Sequence, residues 1–114
     1  MDAGLDRRLR RGKQPPEARI DLHGMTRAQA RAALTGFLQS AQAQGLRLIL
    51  VITGKGRQRP DDDLAVPDRI GALRQDLPGW LQMPPLNLVV QDLRPAHRSH
   101  GGSGAFYVYL RRRR

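Results

Sequence analysis

Asp21-Leu22-His23-Gly24 sets a carboxylate two residues before an imidazole. In an extended strand, side chains at i and i+2 share a face, so Asp21 and His23 point together while Ile20 and Leu22 point into the core. A carboxylate can orient an imidazole and favour its charged form, and an imidazole titrates close to neutrality. The pair therefore reads as a unit able to move a proton or hold a phosphate. Gly24 lets backbone pass close to a ligand. The bland alternative, a half-buried histidine capping a strand end, uses the same residues.

A second segment, Thr53-Gly54-Lys55-Gly56-Arg57, follows an apolar run. Glycines around a lysine expose amide N–H groups that can form an anion nest, with Lys55, Arg57 and Arg59 as charges for a phosphodiester backbone. It is not a nucleotide-triphosphate loop, because Ile49 stands where the first glycine is required and Gly56 where Ser or Thr should follow the lysine. The third segment is His97-Arg98-Ser99-His100-Gly101-Gly102-Ser103-Gly104. Two imidazoles without a cysteine or carboxylate in the same loop make a poor metal site, so Arg98, Ser99 and the glycines suit phosphate contact better. Tyr107 and Tyr109 share a face of the strand that follows. Aromatic rings on an open sheet can stack bases, but half-buried sheet residues are the expected reading.

These segments need elements to hold them. Everything before Arg19 reads as an arm, broken by Pro15-Pro16, with the folded part starting near Ile20. Thr26-Arg27-Ala28-Gln29 has the form of a capping box. Ala30, Ala33, Leu34, Phe37, Leu38 and Ala41 then recur at the spacing of one helical face, and Gly45 is a natural stop. Leu46 to Ile52 reads as a strand whose near-continuous apolar character asks for cover on both faces. With helices on one side only, Ile49 and Val51 would need another cover. Arg57 to Ala65 is a polar loop. A second helix is expected from about Pro67, with Ile70, Leu73 and Leu77 inward, broken by Pro78-Gly79, and with Trp80-Leu81 closing the core before a turn at Pro84-Pro85. Leu86 to Leu93 and Ala105 to Leu110 read as strands flanking a glycine-rich loop.

The order β-α-β-α-β-β predicts a compact two-layer α/β sandwich with a mixed four-stranded sheet. Parallel pairing comes from the crossovers, and the last two strands return antiparallel. Both the Asp-His segment and the Gly-Lys-Gly segment then lie at the carboxyl ends of their strands, the edge where such sheets bind ligands.

Charge points to the class of partner. Lys plus Arg number 20 against 10 Asp plus Glu in 114 residues, a net charge of +10. Residues 1–19 (six basic, three acidic) and the four arginines at 111–114 together supply +7 of it. Basic arms flank a nearly balanced domain at 20–110, which suits a polyanion, since each phosphate neutralised releases a counterion. Zero cysteine excludes a disulfide framework and a thiol nucleophile, and makes the cytoplasm the expected compartment. The longest apolar run, Leu48 to Ile52, is far short of a membrane span, and no apolar stretch follows the N-terminal arginines as a secretory signal requires.

Taken together, Asp21-Leu22-His23-Gly24, Thr53-Gly54-Lys55-Gly56, Leu73-Arg74, Trp80-Leu81 and Gly101-Gly102-Ser103-Gly104-Ala105 resemble, in order, the motifs of the small MutS-related (Smr) domain family. The resemblance spans about 20 to 110. It implies a fold like the C-terminal domain of bacterial translation initiation factor three, and nucleic-acid binding with nicking or endonuclease activity in some members. It assigns Asp21 and His23 to the catalytic strand end. Gly54, Lys55 and Gly56 match the family's phosphate-side loop and Gly101, Gly102 and Gly104 its third motif, while Gly24, Thr53, Arg57 and Arg98 join the candidate phosphate contacts on their own chemistry. Thr53 departs from the family pattern, which usually has histidine there. The leading expectation is an endonuclease that nicks or cleaves DNA or structured RNA. The alternative is a non-catalytic module that binds nucleic acid or the ribosome. No metal ligands are assigned, and a requirement for a divalent ion such as magnesium stays open, as do the oligomeric state and the choice between DNA and RNA.

Overall fold

The computed structural model describes residues 15–54, 72–97, 100 and 104–112. The Thr26 capping box forms as the sequence predicts. The Thr26 hydroxyl accepts the Gln29 amide at 3.1 Å and the Gln29 side chain accepts the Thr26 amide at 3.0 Å. Helix α1 (Arg27–Ala43) follows, burying Ala30, Leu34, Leu38 and Ala41 along one stripe. It ends at Gly45, whose φ of +84° is a left-handed conformation. There the Gly45 amide donates to Gln42 and the Leu46 amide to Ala41, so orphan carbonyls of the last turn are satisfied.

Strand β1 (Ala18–Asp21) starts two residues before Ile20, inside the segment read as an arm. Its start is fixed by Glu17, whose carboxylate accepts the amides of Arg47 and Leu48 at 2.8 and 2.9 Å. Strand β2 (Leu48–Ile52) pairs with β1 in parallel, and strand β4 (Ala105–Leu110) pairs antiparallel with both β2 and strand β3 (Val90–Pro95). The sheet order is β1-β2-β4-β3. The mixed four-stranded sheet is therefore as expected, with β4 inserted between the strands that precede it.

Further boundaries differ from the sequence reading, among them the end of β3, which runs to Pro95 and not to Leu93. Helix α2, described over Ala72–Leu81, runs through Pro78 instead of stopping there. An internal proline costs about 3 kcal/mol, but the turn beyond it buries Trp80 and Leu81 to 9% and 5% exposure, and side chains of this size each return roughly 1.5–3 kcal/mol. The strand expected from Leu86 begins only at Val90, because Leu86–Leu88 form a 3-10 turn that buries Leu86 and leaves Leu88 outside. The strand expected from Leu46 begins at Leu48. Pro67 and Ile70, expected in the second helix, lie outside the described residues.

Both helices pack on one face of the sheet. Leu34, Leu38, Leu73, Leu77 and Trp80 meet Ile49, Val51, Val108 and Leu110 there. The assignment of β2's faces needs correction: Ile49 and Val51 lie under the helices, and it is Leu48 and Leu50 that face the other way. They form a second buried cluster with Ala96, Ala105, Tyr107 and Tyr109, to which neither helix contributes a described residue. Arg27 on α1 and Asp76 on α2 form an ion pair at 2.7 Å.

Candidate nucleic-acid interface and acid–base site

Strand direction gathers the three motifs. β1 and β2 are parallel, so Asp21 and Ile52 end side by side, and antiparallel β4 begins beside them at Ala105. Backbone bonds extend the sheet past the strand ends. The Leu22 amide donates to the Ile52 carbonyl at 2.7 Å, and the Thr53 and Gly54 amides donate to the Gly104 carbonyl at 2.8 and 3.1 Å. Asp21, His23, Gly24, Thr53, Gly54 and Gly104 thus share one rim. Lys55, Gly56, Arg57, Arg98, Gly101 and Gly102 lie outside the described residues.

Alternation along β1 sorts the first motif. Leu22 is fully buried, while Asp21 and His23 are exposed. One oxygen of Asp21, Oδ1, accepts the His23 backbone amide at 3.0 Å and lies 2.7 Å from His23 Nδ1. The carboxylate thereby closes a local turn and orients the ring with the same atom. A carboxylate only accepts, so Nδ1 carries the shared proton and Nε2 of the neutral ring presents a lone pair. The side chains retain 53% and 42% exposure, so Nε2 is within reach of a ligand in solution. Gly24 adopts φ +82° in the turn that follows, and no atom stands within 4 Å of where a Cβ would be, so the glycine serves backbone conformation.

Thr53 does not serve as a surface donor. It is 7% exposed, and its hydroxyl lies 3.2 Å from the Gly54 carbonyl and 3.4 Å from that of Gly104. A hydroxyl has one proton to give, and the two carbonyls claim it. The expected phosphate contact through this side chain is replaced by a tie between the second and third motifs. The base-stacking reading of Tyr107 and Tyr109 is also set aside, since each is 1% exposed.

Register places further charges on the face of Leu48 and Leu50. Arg19 pairs with Leu50, Leu50 with Tyr107 and Tyr107 with Arg94, so one row across the sheet carries an arginine at each side. Arg19 lies two residues before Asp21 and is exposed, and strand periodicity alone would have found it. Arg94 pairs with Asp92 at 3.1 Å. Among the described residues no three His, Asp or Glu side chains gather as a metal-binding group. A cleft of about 630 Å³ opens at the opposite end of the sheet, lined by Leu81, Asn87, Val90 and Arg111 among others, away from the three motifs.

With this geometry in view, the chain can be set beside known proteins. It is 37% identical over 112 residues to the probable DNA endonuclease SmrA of Escherichia coli K12, covering 98% of this chain and 54% of that protein. It is 33% identical over 104 residues to the ribosome rescue factor SmrB of Aeromonas hydrophila, covering 91% of this chain and 51% of that protein. The chain therefore spans about half the length of these relatives. Among solved structures it superposes on YdaL, a stand-alone small MutS-related protein from Escherichia coli, with a TM-score of 0.70 at 35% identity, covering 98% of this chain and 78% of that one. It also matches the Smr domain of Thermus thermophilus MutS2 with a TM-score of 0.64 at 30% identity, covering 82% of this chain and 98% of that one. The fold of the sheet and its two helices is thus that of these neighbours. Since residues 20–111 also match the Smr domain family model, the chain belongs to the Smr domain family.

Proposed function

We propose that this protein binds nucleic acid across the rim described above and cleaves a phosphodiester there, with His23 as the acid–base group and Asp21 as its orienting partner. The observation that carries the reading is the 2.7 Å contact between His23 Nδ1 and Asp21 Oδ1, which leaves Nε2 exposed as a proton acceptor. Nε2 takes the proton from the attacking oxygen, of water or of an RNA 2′-hydroxyl, as that oxygen bonds to phosphorus. The imidazolium returns a proton to the oxygen that leaves. Lys55 and the amide of Gly56 hold the phosphate and offset the charge growing on its oxygens. Arg57, Arg98, Gly101, Gly102 and Gly104 extend the phosphate contacts, and the basic segments 1–19 and 111–114 add salt-dependent affinity around the 20–110 domain. Support comes from the name of one relative, a probable DNA endonuclease.

A second reading, a cytoplasmic module that binds nucleic acid or the ribosome without cutting, is favoured by the inward-turned hydroxyl of Thr53. That residue brings no acid–base group to the rim. Several relatives are named ribosome rescue factors. The experiment that separates the two incubates wild type and His23→Ala with supercoiled plasmid and with structured RNA, each with magnesium or with chelator, alongside a binding control. The first reading expects cleavage by wild type that is lost in the variant while binding persists. Cleavage by H23A at the parental rate overturns it, and binding without product in every condition establishes the second.

A further inference from the structure

We infer that His100, held by the buried hydroxyl of Tyr107, is a dedicated hydrogen-bond donor to the nucleic-acid backbone. The inference rests on the nucleic-acid reading above and adds to it a contact that sets affinity.

Tyr107 is 1% exposed, so its hydroxyl is shut off from bulk water. The oxygen accepts the His97 backbone amide at 3.2 Å and lies against His100 Nδ1. The His100 ring stands edge-on to the tyrosine, with centroids 5.7 Å apart and planes at 78°. A buried hydroxyl places its proton on an acceptor, and the acceptor it meets among the described residues is Nδ1. In the neutral imidazole, an accepting Nδ1 puts the ring proton on Nε2. In the charged imidazole both nitrogens carry protons. Nε2 of His100 is therefore an N–H donor in either charge state.

His23 is set the opposite way. Its Nδ1 faces a carboxylate, which accepts, whereas that of His100 faces a hydroxyl, which donates. One rim thus carries two imidazoles with Nε2 in opposite roles, one able to take a proton and one able only to give a hydrogen bond.

Position sets His100 apart from His23 along the rim. Asp21 pairs with Ile52 and Ile52 with Ala105, so β1 and β4 are two strand spacings apart, about 10 Å at roughly 4.8 Å each. His100 sits over Tyr107 on β4, on the same face of the sheet as Asp21 and Leu50. Its main chain is tied to the end of β3 by the bond from its amide to the His97 carbonyl at 2.7 Å. The two imidazoles thus stand on non-adjacent strands of one rim. A strand of nucleic acid that follows the rim from the end of β1 towards the start of β4 meets His23 first and His100 farther along.

The test uses fluorescence anisotropy with a fluorescein-labelled single-stranded RNA and a labelled duplex DNA, together with long-range proton–nitrogen NMR of the histidine rings in the free protein. Wild type is expected to show an unprotonated Nδ1 in His100 and an unprotonated Nε2 in His23. His100→Ala weakens binding of the bound probe by about tenfold, the scale of one hydrogen bond to a charged group at a partly exposed site. His100→Gln, whose amide N–H stands near the place of Nε2–H, recovers most of that loss. Tyr107→Phe keeps the buried ring but frees the imidazole, so the His100 signals lose the fixed tautomer and binding weakens. An unprotonated Nε2 in neutral His100, wild-type affinity in H100A, or H100Q no better than H100A overturns the inference while leaving the functional reading intact. A wild-type protein that binds neither probe refutes the functional reading, and this inference with it.

Discussion

Replacing Asp21 by Asn tests whether the carboxylate acts through His23. The change is nearly isosteric, and the side-chain oxygen can still accept the His23 amide, so the local turn survives. What is lost is a charged acceptor 2.7 Å from Nδ1. A hydrogen bond to a charged group contributes about 1.5–3 kcal/mol, and the pair's exposure of 53% and 42% argues for the lower part of that range. The ring also loses its fixed tautomer, because the amide nitrogen of Asn can donate to Nδ1 and move the ring proton to Nε2. We expect the rate of cleavage at saturating substrate to fall roughly 10- to 30-fold, with each 1.4 kcal/mol of barrier worth a factor of ten. Binding should not weaken, since a negative charge has been removed from a phosphate-binding rim. The assay is single-turnover cleavage by D21N, by H23A and by the double variant. Groups that act as one unit are non-additive, so the double variant should be no slower than H23A alone. A double variant slower than H23A by the full D21N factor would refute the reasoning, because Asp21 would then act independently of the imidazole.

Two further outcomes follow from burial and charge. Leu38 is fully buried where α1 meets the sheet, so Leu38→Ala should lower the unfolding free energy by about 2–5 kcal/mol in urea titration, and a loss below about 1 kcal/mol would deny it that place in the core. Removing residues 1–14, which carry five basic side chains, should reduce the slope of log affinity against log salt by up to about 4, at roughly 0.9 per phosphate neutralised on duplex DNA, and an unchanged slope would show that the segment makes no phosphate contact.

Much of the scaffold was legible because it is written in neighbouring residues. Thr26 and Gln29 announce the start of α1 through bonds spanning three positions, and Gly45 marks its end by the one backbone conformation that other residues resist. The period of two along Ile20-Asp21-Leu22-His23 places the carboxylate and imidazole together outside the core, and their contact is local enough to need only the strand and the turn after it. Ala105–Leu110 reads as a strand for the same reason of alternation. Pro78 and Leu86 misled because a local signal was outweighed by burial: Trp80 and Leu81 hold the helix past the proline, and Leu86 reaches the core from a tight turn.

The rest belongs to residues far apart in the chain. Pairing of β4 between β2 and β3 joins residues 48–52 to residues 105–110, and no periodicity within β4 encodes it. That pairing brings Gly104 against Thr53 so that the hydroxyl turns inward, while the side on which the helices pack decides that Ile49 and Val51 lie under them. The pairing also buries Tyr107 beneath His100, where a hydroxyl denied water must give its proton to the ring. The sequence by itself determined that an aspartate orients a histidine at a strand end. Only the tertiary structure decided that a second imidazole on the same rim is set with its proton reversed, because a hydrogen bond's direction depends on which partner the fold places opposite the ring.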